Sequence, residues 1–198
     1  MRWLSVGLAA VLLSTPACTP TPCPEPFYAG TATDEVWVVL SDAKGRATLD
    51  DGQAIHLTHP MPEATISATG AKPDFTWSSS LSASRAPAPE GLWRKPIHAG
   101  MSSRVTAWLF DTLLGHEAPV TGPMHWLRFT TAQAHCPAVE VVTSANRWTP
   151  DDAAWAQLKT AATGKTVTIE AISAYVTENR ITEGPFRPST FVNFTLGQ

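Results

Sequence analysis

Histidine and methionine are the residues of this chain best suited to hold a metal. His56 and His59 flank Leu57-Thr58, and Met61 follows after Pro60. His98 stands three residues before Met101, and Met124 adjoins His125. Imidazole and thioether ligands together suit copper, which makes His56, His59, Met61, His98, Met101 and His125 a candidate set. Their spacing matches no dense metal motif. On a regular strand His56 and His59 would point to opposite faces, so a shared ion would need a bend. Dispersed surface histidines and core methionines are the plainer reading.

A nucleophile with partners is harder to find. Serine is plentiful, but no Gly-x-Ser-x-Gly elbow occurs. His135 and Cys136 form a possible thiol–imidazole pair, yet neighbours on a strand face opposite ways. The acidic pairs Asp50-Asp51 and Asp151-Asp152 have the character of a turn and a helix start. Glu178 and Glu183 lack the partner spacing of a glycosidic acid and base. Asp50-Asp51-Gly52 lacks the rest of a calcium loop. No catalytic residue is assigned and no cofactor is called for. An envelope hydrolase remains an alternative function, as does periplasmic copper binding.

The first residues carry an address. Arg2 precedes an apolar run, Trp3 to Leu13, of signal-peptide length and too short to span a bilayer. Ser14-Thr15-Pro16-Ala17-Cys18 offers a cleavage site, and a small residue directly before cysteine resembles the bacterial lipobox. Residues 1–17 are thus expected to be a signal peptide, with Cys18 lipidated and anchoring the protein to a lipid bilayer. The expected location is the periplasm or outer membrane. Simple secretion after Ala17 is the alternative, since Thr15 and Pro16 are unusual in a lipobox. With Cys18 acylated, Cys23 and Cys136 remain as a pair suited to an oxidising compartment. Bridging them would close a loop worth roughly 4–5 kcal/mol in the chain-entropy model. Two free buried thiols are the other possibility. No Cys-x-x-Cys spacing speaks for zinc. A net charge of -3 with scattered Lys and Arg argues against nucleic acid as a partner.

Seventeen prolines favour short strands joined by rigid connections. Residues 18–30 read as a proline-rich tether whose end, Phe27-Tyr28-Ala29-Gly30, docks on the domain. Residues 31–53 read as a helical segment, with Val36, Trp37, Leu40 and Ala43 at helical spacing behind Thr33. Residues 54–198 then read as an immunoglobulin-like β-sandwich with a helical insertion over about 79–117. The fold class is mainly β. Strands are expected at Phe75/Trp77, at Leu127/Phe129 with Trp126/Arg128 on the other face, at Val139/Val141, at Val167/Ile169/Ala171 and at Val192/Phe194/Leu196. Thr149 is expected to cap a short helix with Pro150 at its first position. Gly184-Pro185 reads as a turn. Trp77, Trp126, Trp148 and Trp155 suit a core. Trp93 and Trp108, in the insertion, could offer a platform to a glycan or another envelope protein. Asn179, Arg180 and Arg187 could form a polar loop surface around that turn.

Several of these motifs carry a resemblance. Phe27-Tyr28-Ala29-Gly30 leads to Asp34-Glu35-x-Trp37. Pro73-x-Phe75-x-Trp77 and Pro119-Val120-Thr121-Gly122 follow. Ser173-Ala174-Tyr175 runs through Glu178-Asn179-Arg180 to Glu183-Gly184-Pro185-Phe186. From about Pro22 onward the chain resembles uncharacterised secreted lipoproteins of myxobacteria and their relatives. The resemblance implies an envelope lipoprotein with a sandwich domain. It implies no catalytic residues. A non-enzymatic binding or structural role, with the sandwich-end loops and the insertion as contact surface, is the function expected.

Overall fold

The computed structural model describes residues 22–81, 118–132 and 134–198. The signal segment, Cys18 and most of the 79–117 insertion, including Trp93, His98, Met101 and Trp108, lie outside the described residues.

Two sheets form a mainly β structure, consistent with a β-sandwich. The small sheet holds β3 (His56–His59), β5 (Phe75–Ser78) and β8 (Arg147–Trp148) in the order β3-β5-β8. The larger sheet centres on β9 (Lys165–Thr177), which pairs along one edge with β6 (Gly122–Thr131). Beyond β6 come β7 (Val139–Thr143) and β1 (Phe27–Ala29). The other edge of β9 is shared. β11 (Val192–Gly197) covers its first half and β10 (Arg180–Arg187) its second. Short strands β4 (Thr65–Ser67) and β2 (Thr48–Leu49) extend these two in parallel.

Strict alternation along β6 decides what the large sheet buries. Leu127 and Phe129 face the small sheet, where they join Val139, Val141, Val167, Ile169, Phe194, Phe75 and Trp148 in one core. The helix α2 (Asp152–Ala162) completes that layer with Ala154, Trp155 and Leu158. Met124 and Trp126 face the other way, under α1 (Asp34–Ala43), and meet Val36, Leu40, Val142, Ile172 and Val176. Both faces of the large sheet therefore carry a buried apolar cluster along β6 and β9. Trp77, Trp126, Trp148 and Trp155 are all buried, Trp126 in the second core rather than the first.

Local chemistry explains the ends of these elements. Thr33 caps α1, its hydroxyl accepting from Val36 N, and Asp34 and Glu35 follow at the positive end of the helix dipole. At α2 the structure corrects the expected cap. Asp151, not Thr149, accepts from Ala154 N at 2.7 Å. Thr149 instead donates its hydroxyl to Asp74 at 2.7 Å, which ties the helix entry to the loop before β5. Gly184-Pro185 is not a turn either, because β10 runs through it. A proline is tolerated there because the β9–β10 register shifts between Glu183 and Phe186. Gly184 has φ +89°, and a Cβ on it would stand 3.1 Å from the Ser173 carbonyl oxygen. The reversal lies earlier, where Glu178 and Asn179 both take positive φ, the two-residue turn suited to a twisted hairpin.

Candidate functional site

Three polar residues stand in register across the large sheet. Thr143 on β7 is opposite His125 on β6, and His125 is opposite Ser173 on β9. All three are fully buried on the face that carries Leu127 and Phe129. Trp77 lies edge-on to the His125 ring with centroids 5.9 Å apart. Among the described residues neither ring nitrogen has a well-aligned hydrogen-bond partner. Burial lowers the imidazole pKa to about 4, against the smaller opposing effect of the nearby Asn146 side chain. His125 is therefore a neutral ring in the core at neutral pH. A serine beside a histidine is the raw material of a nucleophile and base. Here solvent reaches neither, and the Ser173 hydroxyl donates to the Gln53 carbonyl at 3.4 Å.

Of the expected copper set, His56, His59, Met61 and His125 are among the described residues, and they are divided between surface and core. Among the described residues, His56 and His59 are both exposed on β3, because a register shift between Leu57 and His59 breaks the alternation. His56 Nε2 hydrogen-bonds the Asp51 carbonyl oxygen. Met61 is 67% exposed, while His125 is buried. Asp51 holds Ser189 through both backbone and side chain, and these bonds lower its carboxyl pKa.

The polar loop surface also divides. Asn179 works for the fold. Its Oδ1 accepts from Val120 N at 2.7 Å, its own N–H donates to the Val120 carbonyl, and its Nδ2 donates to Glu35. The hairpin is thereby tied to α1 and to the entry of β6. Arg180 and Arg187 are exposed at opposite ends of β10, seven residues or roughly 23 Å apart at the usual rise of a strand. Arg187 lines a small cleft of about 130 Å³ with Lys44, Glu170, Ile172 and Phe191. Beside it Arg128 bridges Glu140 and Glu170, each at 2.6 Å, and stacks over Trp126 with 5.5 Å to the ring centroid. Burial, then the neighbouring Arg128, lowers the Lys44 pKa.

A different constellation emerges at the edge where the tether meets the sheet. Strand β1 pairs in parallel with β7, Phe27 level with Val141. The chain leading into each strand therefore arrives from the same side. Cys23 and Cys136 meet there at disulfide distance, with 5.3 Å between Cα atoms and a sequence separation of 113. His135 joins them. One ligand atom from each of Cys23, His135 and Cys136 falls within 4.8 Å of the others, and no further such group of three occurs among the described residues. The expectation that His135 and Cys136 would diverge rested on a strand. Both residues instead occupy bends ahead of β7, where alternation does not apply. The sequence signal was Pro137, which stands directly after them and delays the strand to Val139. Cys136, Pro24, Thr131, Gln157 and Lys165 border a surface groove of about 450 Å³.

No protein-family model, curated protein or solved structure matches the chain.

Proposed function

We propose that this protein is a cell-envelope lipoprotein with a non-enzymatic binding or structural role, displayed on an immunoglobulin-like sandwich. The observation that carries this reading is the fastening of the tether. Cys23 is bonded to Cys136 and β1 is zipped to β7, only a few residues after Cys18. Force or thermal motion transmitted from an anchor at Cys18 would meet a covalent bond and a strand pairing before it reached the core. A disulfide also suits an exported protein. The motifs from Phe27-Tyr28-Ala29-Gly30 to Glu183-Gly184-Pro185-Phe186, read as resembling myxobacterial secreted lipoproteins, support the same address.

The finer fold assignment rests on strand order. In sequence, β3 and β5 belong to the small sheet, β6 and β7 to the large one, β8 returns to the small sheet, and β9 to β11 return to the large one. That crossing pattern, with β5 beside β8 and β6 beside β9, supports a Greek-key reading of the antiparallel strands, to which β1, β2 and β4 add parallel pairings at the edges. The helix α2 occupies the connection between β8 and β9.

Expression of the whole chain in a Gram-negative host, followed by fractionation and intact mass measurement, tests the proposal. The expected result is a mature chain beginning at Cys18 with an acyl mass on it, in the membrane fraction. Cys18→Ser should move it to the soluble fraction. An unmodified soluble wild-type chain would overturn the anchor.

A further inference from the structure

We infer that Cys23, His135 and Cys136 form a redox-gated metal site, closed as a disulfide and open, once reduced, to a single zinc-class divalent cation. The inference does not depend on the lipid anchor. Two thiolates and one imidazole within 4.8 Å make a donor set that suits a borderline cation. A tetrahedral ion bound to these atoms would hold them a little under 4 Å apart, given Zn–S of about 2.3 Å and Zn–N of about 2.0 Å. The three atoms therefore need only a small adjustment after the sulfur–sulfur bond opens.

The fold holds the ligands in place when that bond is absent. Cys23 is carried by the segment entering β1, whose register with β7 is fixed from Phe27 to Ala29. His135 and Cys136 are carried by the bend between β6 and β7. Ala138 N donates to the Phe129 carbonyl at 2.7 Å, and Gln157 Nε2 donates to the Ala138 carbonyl at 2.9 Å. Cys23 and His135 are exposed and Cys136 is half-buried, so reductant and metal both have access. Three protein ligands leave the fourth position open to water, as in zinc sites that bind an exchangeable group.

The chemistry balances with a dithiol as reductant. One of its thiolates attacks Cys23 Sγ, and the electron pair of the disulfide leaves on Cys136 Sγ. The second dithiol sulfur attacks the mixed disulfide and releases the Cys23 thiolate. The dithiol becomes a cyclic disulfide, and the protein gains two electrons. Cation binding then takes the two thiolates and one imidazole nitrogen of His135, with any thiol proton released to solvent.

The test uses the full chain, oxidised or reduced with a water-soluble phosphine and desalted without oxygen. Cobalt(II) serves as the probe because thiolate ligation gives it an intense near-ultraviolet charge-transfer band. The reduced chain should take up one equivalent with that band, and zinc(II) should displace it. The oxidised chain should show no band. His135→Ala should weaken binding at least as much as the roughly 10–100-fold typical of losing an outer-shell partner, with its fold intact because the side chain is exposed. His135→Cys should keep the site and intensify the band. Absence of a stoichiometric complex in the reduced chain, equal affinity in His135→Ala, or equal binding by the oxidised chain would each overturn the inference.

Discussion

Two ends of one strand solve burial in opposite ways. Phe129 and His125 sit on β6, four residues apart, on the same face and equally shielded from water. Around Phe129 the core is aromatic. Phe75 meets it edge-on at 4.9 Å, and Trp148 and Phe194 close the cluster. Around His125 the in-register neighbours are Thr143 and Ser173, and neither ring nitrogen has a well-aligned partner among the described residues. The aromatic end gains from desolvation and ring geometry together. The polar end sacrifices some of that gain, since an unpaired buried polar atom carries its full desolvation penalty. One strand thus has a strongly stabilising end and an end whose stability depends on proton concentration.

Removing the aromatic end should cost most. Phe129→Ala is expected to destabilise the fold by about 3–5 kcal/mol, seen as a lower midpoint in urea, with little dependence on pH. An effect under about 1 kcal/mol would mean the cluster collapses around the gap and the two ends are less different than their packing implies.

The polar end should reveal itself in acid. The His125 pKa is about 4 in the fold and near 6.5 when exposed, so the unfolded chain binds the proton first. Stability from the neutral ring is complete above pH 6.5 and falls as pH drops toward 4. The loss should approach about 3 kcal/mol, from 1.36 kcal/mol per pKa unit. His125→Leu should flatten this fall relative to wild type in denaturation series at pH 7 and pH 4.5. Parallel curves for the two proteins would show that His125 is not the group responsible.

The opposite face of the same strand offers a third contrast. Arg128→Ala would leave Glu140 and Glu170 facing each other across its position. Breaking a fully buried pair costs several kcal/mol. With Glu170 a third exposed, about 1–2 kcal/mol is expected here, reduced further by salt. Asp151→Ala, outside both ends, should cost about 1 kcal/mol by removing the α2 cap. Thr149→Ala should leave that helix signal unchanged, which would separate the observed cap from the expected one.

Much of this architecture could be read from residue order. The alternation of Trp126 and Arg128 with Leu127 and Phe129 specifies a strand covered on both faces. Thr33 followed by two acids specifies a helix start. Phe27 and Tyr28 ahead of Gly30 mark where the tether docks. The candidate site was less legible. Asn179 reads as loop surface until its three bonds to Val120 and Glu35 are seen. His125 reads as a possible ligand until the sheet closes over it. His135 was set aside on an assumed strand that Pro137 delays.

Periodicity, capping residues and turn chemistry act within a few residues, so the sequence by itself determines which segments become strands or helices and which faces are apolar. It also determines that three cysteines must be apportioned. Which groups become neighbours is decided by pairings between distant segments. Cys23 meets Cys136 and His135 only because β1 lies parallel to β7 in one register. His125 becomes neutral and dry only because the small sheet brings Trp77 over it. Those registers depend on the packing of the whole core, whose free energy no short stretch of sequence contains.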